Sequence, residues 1–142
     1  MNWKIAFLLS LAGVAVGLAE VFGLYGIPQL VVWAAVFVGY AMFLARNIDG
    51  DYFVHALLAS LLAGLWAGTI HAVFINAYVA HNPALQSEYA VLPKGTHPRL
   101  MMIMMGPFYG AIRGVVAGLL AVAAGKFMKR KEPLPSQETK TQ

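Results

Sequence analysis

Four side chains that carry charge or can exchange a proton fall inside long apolar stretches of this 142-residue chain: Glu20, His71, Tyr109 and Arg113. In an apolar surrounding a glutamate or an arginine is costly unless it meets a counter-charge, a hydrogen bond or water, so each needs a reason to be there. A guanidinium at such a depth handles anions, and an imidazole that titrates near neutral pH suits a proton-coupled step. The same residues serve equally as a clamp that fixes which helices pack together.

Glu20 and Arg113 sit in matching local patterns. Gly13, Gly17 and Glu20 have the spacing of Gly106, Gly110 and Arg113, so each charge follows the second glycine by three residues and lies on the glycine face. Gly114 and Gly118 continue the second series at the same four-residue interval. Side chains lean toward the N-terminus of their own helix, so in antiparallel first and fourth helices the two charges converge. Facing glycines let the two backbones approach closely. A Glu20–Arg113 ion pair between those helices is the expectation. His71, with Gly64 and Tyr78 seven residues to either side, falls at the depth of Glu20, and Asn76 and Tyr109 lie in the same half. Glu20, His71, Tyr109 and Arg113 are therefore expected to line a polar cavity opening outward, with His55 at the opposite, inner interface.

Met101, Met102, Met104 and Met105 cluster at the start of the last apolar stretch, and His81 and His97 flank the loop before it. Thioether and imidazole ligands suit Cu(I). A methionine pair one turn apart, Met101 and Met105, followed by Gly106-x-x-x-Gly110 is similar to a pattern in the three-helix copper transporters of eukaryotes. That resemblance implies Met101, Met105 and His97 as candidate metal ligands. Methionines filling an apolar interface account for the same cluster without a metal. A haem needs facing ligands on two helices, which only His71 with a methionine such as Met105 offers. No HExxH, phosphate loop, Ser-His-Asp ordering or paired intramembrane carboxylates occur, so neither catalytic residues nor a cofactor are expected, and the chain does not read as an enzyme.

These residues need elements to hold them. With 60% hydrophobic and 11% charged residues, the chain is too apolar for an ordinary soluble fold. Spans of roughly spanning length are expected over about 5–25, 28–45, 52–80 and 99–125, giving an all-α integral membrane protein, an antiparallel four-helix transmembrane bundle. At ~1.5 Å per residue the third span exceeds a hydrocarbon core of ~30 Å, so it tilts or projects beyond it. A cleaved signal peptide ending near Gly17-Leu18-Ala19 is the competing reading of the first stretch. Pro28 opens the second helix, and Asp51 is placed to cap the third. Asn82-Pro83 starts a short interfacial helix through Tyr89, and Thr96 or His97 before Pro98 starts the fourth span. Residues 132–142 read as a disordered cytoplasmic tail.

The net charge of +4 is not distributed as a nucleic-acid footprint, because five of the ten Lys and Arg lie in the last 17 residues beside an apolar span. Lys4, Arg46, Lys126, Lys129, Arg130, Lys131 and Lys140 fall on one side of a four-span topology, against Lys94 and Arg99 on the other. The positive-inside rule then puts both termini in the cytoplasm, with a bacterial inner membrane as the default setting. The lack of cysteine excludes disulfides and thiolate chemistry. A small-solute or ion transporter or channel subunit is the leading functional expectation. The alternatives are an accessory subunit of a larger membrane complex and, third, a Cu(I)- or haem-binding membrane protein; the bilayer and either a homo-oligomer or a larger complex are the expected partners.

Overall fold

The computed structural model describes residues 2–24, 28–83, 85 and 95–129, and among them every regular element is helical. The first apolar stretch, expected as one helix, is two: α1 (Trp3–Ser10) and α2 (Ala12–Val21). Ser10 explains the break. Its hydroxyl donates to the Phe7 carbonyl (2.7 Å), the acceptor that the Leu11 amide would use in an unbroken helix. Leu11 turns to Leu8 instead (3.2 Å), which tightens the turn while its φ and ψ stay right-handed. The Asn2 side chain caps α1 by accepting from the Lys4 and Ile5 amides. Asn2→Ala should therefore lower the thermal unfolding midpoint in detergent, at a cost of roughly 0.5–2 kcal/mol.

Helix α3 (Gln29–Asn47) follows, then α4 (Tyr52–Val73) and α5 (Ile75–His81), where a single helix over 52–80 was expected. Phe74 interrupts it at φ −100, ψ 32. The run Val73-Phe74-Ile75 is β-branched and aromatic, which weakens helix preference locally, and Phe74 leans its ring on Phe22 at the end of α2, 6.1 Å between centroids. Helix α6 (Pro98–Lys129) is longer than the expected 99–125 and runs through Pro107, which has no amide to give the Ile103 carbonyl. Asp51 takes the N-cap position of α4 as expected, but in a left-handed conformation (φ 51) and without a side-chain cap. Its carbonyl instead receives the His55 amide (3.0 Å) and lies 2.8 Å from His55 Nδ1. The expected helix through Tyr89 and the tail from residue 132 lie outside the described residues.

Packing centres on α4. Its small residues form two adjacent series, Ala59-Ala63-Ala67 and Ser60-Gly64-Gly68, offset by one residue and so by about 100° around the axis. The first series receives α2: a side chain at Gly13 would run into the Ala63 backbone, and one at Gly17 would meet Ala67 Cα at 3.0 Å. The second receives α6: Gly106 lies against Gly64 and Gly68, Gly110 against Ser60 and Leu61, Gly114 against Leu57 and Gly118 against Phe53. The two glycine series expected to face each other thus seat instead on two neighbouring faces of α4. Helix α3 closes the bundle, burying Trp33, Phe37, Tyr40 and Leu44 against Val16, Ala56, Ala63, Ala117 and Ala121. The Tyr40 hydroxyl donates to the Leu9 carbonyl across that seam (2.8 Å).

Four helical segments are long and apolar enough to cross a membrane: Trp3–Val21, Gln29–Asn47, Tyr52–Val73 and Pro98–Met128. His55, expected at an interface, is buried at 3% exposure. The Asn2 amide donates to its Nε2 (2.8 Å), so the proton of the neutral ring sits on Nδ1, facing the Asp51 carbonyl. This histidine ties the chain's start to the start of α4, a structural role that accounts for its burial.

Candidate functional site

The glycines that bring α4 and α6 together leave no side chains where the two backbones cross, and a cavity of about 450 Å³ opens beside Gly64, Gly68 and Gly106. Five helices furnish its wall. The end of α2 contributes Glu20, the start of α3 Gln29 and Trp33, the end of α4 His71, α5 Tyr78, and the first half of α6 Met101, Met102, Met105, Tyr109 and Arg113. Glu20, His71, Tyr109 and Arg113, singled out in the sequence, are thus brought to one cavity, while Asn76 is exposed and takes no part in it.

Their pairing differs from the expected one. Glu20, 7% exposed, places Oε2 2.8 Å from His71 Nε2, an ion-pair distance without the alignment of an in-line hydrogen bond. Its Oε1 accepts from the Gln29 side-chain amide. His71 in turn stacks on Tyr78 with centroids 3.8 Å apart and planes within 4°, a contact made across the break at Phe74. Helix α5 could not hold Tyr78 there as a straight continuation of α4, since residues seven apart would stand two turns from each other, ~10 Å along the axis.

Arg113 forms no ion pair with Glu20. Its guanidinium carbon sits 4.9 Å from the Trp33 ring centre and 5.8 Å from that of Tyr109, a cation held by aromatic faces. The reason is positional: α2 docks on the Ala63/Ala67 side of α4 and α6 on the Gly64/Gly68 side, so the two charges reach the cavity from different walls. Among the described residues no carboxylate lies within ion-pairing distance of Arg113. Nearby, the indole N–H of Trp33, 3% exposed, has no acceptor among them.

The metal-ligand grouping drawn from the sequence is not assembled. Met101 and Met105 line the cavity, but His97 precedes α6, is exposed and is absent from its wall. His81 is also exposed, with Nδ1 2.9 Å from the Ala77 carbonyl. Met104, 67% exposed, points away from the bundle.

Among the wall residues with a hydrogen-bonding side chain, Gln29 and Trp33 escaped the sequence reading. A signal for them exists: Gln29, Trp33, Phe37, Tyr40 and Leu44 recur at intervals of three or four and form one stripe of α3. The polar amide beginning that stripe, and the indole one turn on, mark the end of the buried face nearest the cavity. Chemically the site holds an acid–imidazole pair already engaged and a guanidinium and an indole donor that are not. Compared with known proteins, the chain matches no family model, no curated protein and no solved structure.

Proposed function

We propose that the chain is an integral membrane protein whose four spans form an antiparallel transmembrane bundle, and that it acts as a small-solute or ion transporter or channel subunit through the cavity between α4 and α6. The register of contacts supports the arrangement. Gly64 meets Gly106 while Leu57 meets Gly114, so numbers fall along α4 as they rise along α6, whereas Gly13 and Gly17 meet Ala63 and Ala67 in ascending order. Large apolar side chains on the outside, among them Leu30, Val38, Ile112, Val116 and Leu119, suit contact with lipid. The seven-to-two division of loop cations favours both termini in the cytoplasm. With that orientation the cavity lies in the extracytoplasmic half.

The observation that carries the functional reading is the gathering of Glu20, His71, Tyr109 and Arg113 around one void inside an otherwise apolar bundle. A purely structural clamp would close on its charges; here the charges border space.

The cysteine-free chain makes the test direct. Single substitutions Met105→Cys on the cavity wall and Val116→Cys on the outer surface are exposed to a membrane-impermeant anionic thiosulfonate applied outside intact cells. Because the thiolate forms only where water reaches, Met105→Cys should react at least ~10-fold faster. An unreactive Met105→Cys in folded protein would mean a dry cluster, and the accessory-subunit reading would then replace this one.

A further inference from the structure

We infer that the ligand of this cavity is a small organic anion, with a carboxylate-type group seated on Arg113 and an apolar body lying among Trp33, Tyr109 and the methionines. The inference rests on the reading of the cavity as a solute site and names the class of solute.

Three observations lead to it. The first is the balance of donors and acceptors. The Glu20 carboxylate is engaged by Gln29 and by His71, so the site's anion already has its counter-groups. Its strongest donor has none among the described residues: Arg113 lies against the faces of Trp33 and Tyr109 and pairs with no carboxylate there. Ring faces attract a cation but accept none of its five N–H groups in the plane of the guanidinium, where a carboxylate binds in a two-pronged way. The buried indole N–H of Trp33 is a second donor lacking an acceptor. What Arg113 and Trp33 lack among the described residues is an acceptor that carries negative charge.

The second observation is size. A cavity of about 450 Å³ falls in the range that accommodates organic ligands, far above the ~30 Å³ share of a single water or the similar space of a monatomic anion. The third is the character of the remaining wall. Met101, Met102 and Met105 together with the rings of Trp33, Tyr78 and Tyr109 offer polarizable apolar surface, suited to a hydrocarbon or aromatic body rather than to a hydrated inorganic ion. A zwitterion would need a free carboxylate for its ammonium, and Glu20 is already engaged.

Calorimetric titration of the full chain in nanodiscs with benzoate, benzamide and benzylammonium separates the possibilities, since the three share a ring and differ in charge. Benzoate should bind saturably, and benzamide and benzylammonium at least ~10-fold more weakly, because a donor site left unpaired by the wrong ligand discriminates strongly. Arg113→Gln should weaken benzoate binding by ~10-fold or more, Arg113→Lys should recover part of it, and Trp33→Phe, which keeps the ring and removes the N–H, should weaken it severalfold. Benzoate binding that survives Arg113→Gln unchanged is partitioning into the bilayer and overturns the assignment. Saturable benzamide or benzylammonium binding without benzoate binding also overturns it, yet leaves a solute site in place. Binding of none of the three likewise overturns it, whereas failure of Met105→Cys to label overturns the solute site itself.

Discussion

Gly106→Ala should cost the folded bundle on the order of 2–3 kcal/mol, and Gly106→Leu should prevent its assembly, while Gly39→Ala leaves stability unchanged or gains up to ~1 kcal/mol. A Cβ at Gly106 would collide with the Gly64 carbonyl oxygen and approach Gly68 Cα to 3.2 Å, and a Cβ at Gly64 would collide reciprocally with the Gly106 carbonyl. The obstacles are backbone atoms on both sides, so no rotamer change relieves them, and the helices have to part. Parting α4 from α6 also loosens Gly110 on Ser60 and Gly114 on Leu57, close contacts through which apolar helices attract each other by dispersion. Gly39 on α3 has nothing within 4 Å of an added Cβ, so the same chemical change there tests only helix preference. Thermal unfolding in detergent, with recovery of monodisperse protein as a second readout, checks the pair. Equal midpoints for Gly106→Ala and Gly39→Ala would refute the close α4–α6 crossing.

The second large effect concerns the buried charges. A double-mutant cycle with Glu20→Leu and His71→Leu should return a coupling of about 1–2 kcal/mol, whereas a cycle with Glu20→Leu and Arg113→Leu should return less than half of that. Removing either partner alone strips the other, the buried Glu20 or the partly buried His71, of its counter-group, so the two single changes together cost more than the double mutant. The cycle is read from unfolding midpoints in detergent. Rescue of Arg113→Leu by Glu20→Leu would restore the pairing that the sequence alone implied and dismiss the one with His71.

That contrast shows where the sequence is legible. The spans are readable because apolar length is a local property, and the glycine series because a four-residue interval defines a stripe whatever lies opposite. What the interval does not contain is the identity of the opposite surface. Gly13-Gly17-Glu20 and Gly106-Gly110-Arg113 look like two halves of one interface, yet each fits a different small-residue series of α4, and those series were present in the sequence as Ala59-Ser60, Ala63-Gly64 and Ala67-Gly68. The interruptions at Leu11 and Phe74 were unreadable for another reason. They turn on a buried serine hydroxyl that donates to Phe7 while accepting from the Trp66 indole, and on an aromatic ring finding Phe22, arrangements made by tertiary surroundings. The cavity residues were recognisable as polar groups in apolar sequence; their partners Gln29 and Trp33 were not, because an amide at a helix start and an indole in an apolar run are ordinary in themselves.

The two adjacent seats on α4 also govern how freely this chain can vary. Enlarging Ala63 displaces the first span, enlarging Gly64 displaces the last, and the two positions are neighbours in sequence, so no rotation of α4 spares one without offending the other. Outward positions of α3 such as Val31, Val38 and Met42 touch no such seat and accept any apolar side chain of convenient size. Variation tolerated by the fold is therefore concentrated on the second span and withheld from the third. A helix that is almost all alanine and glycine on its inner faces is, for that reason, the part of the chain with the least room to drift.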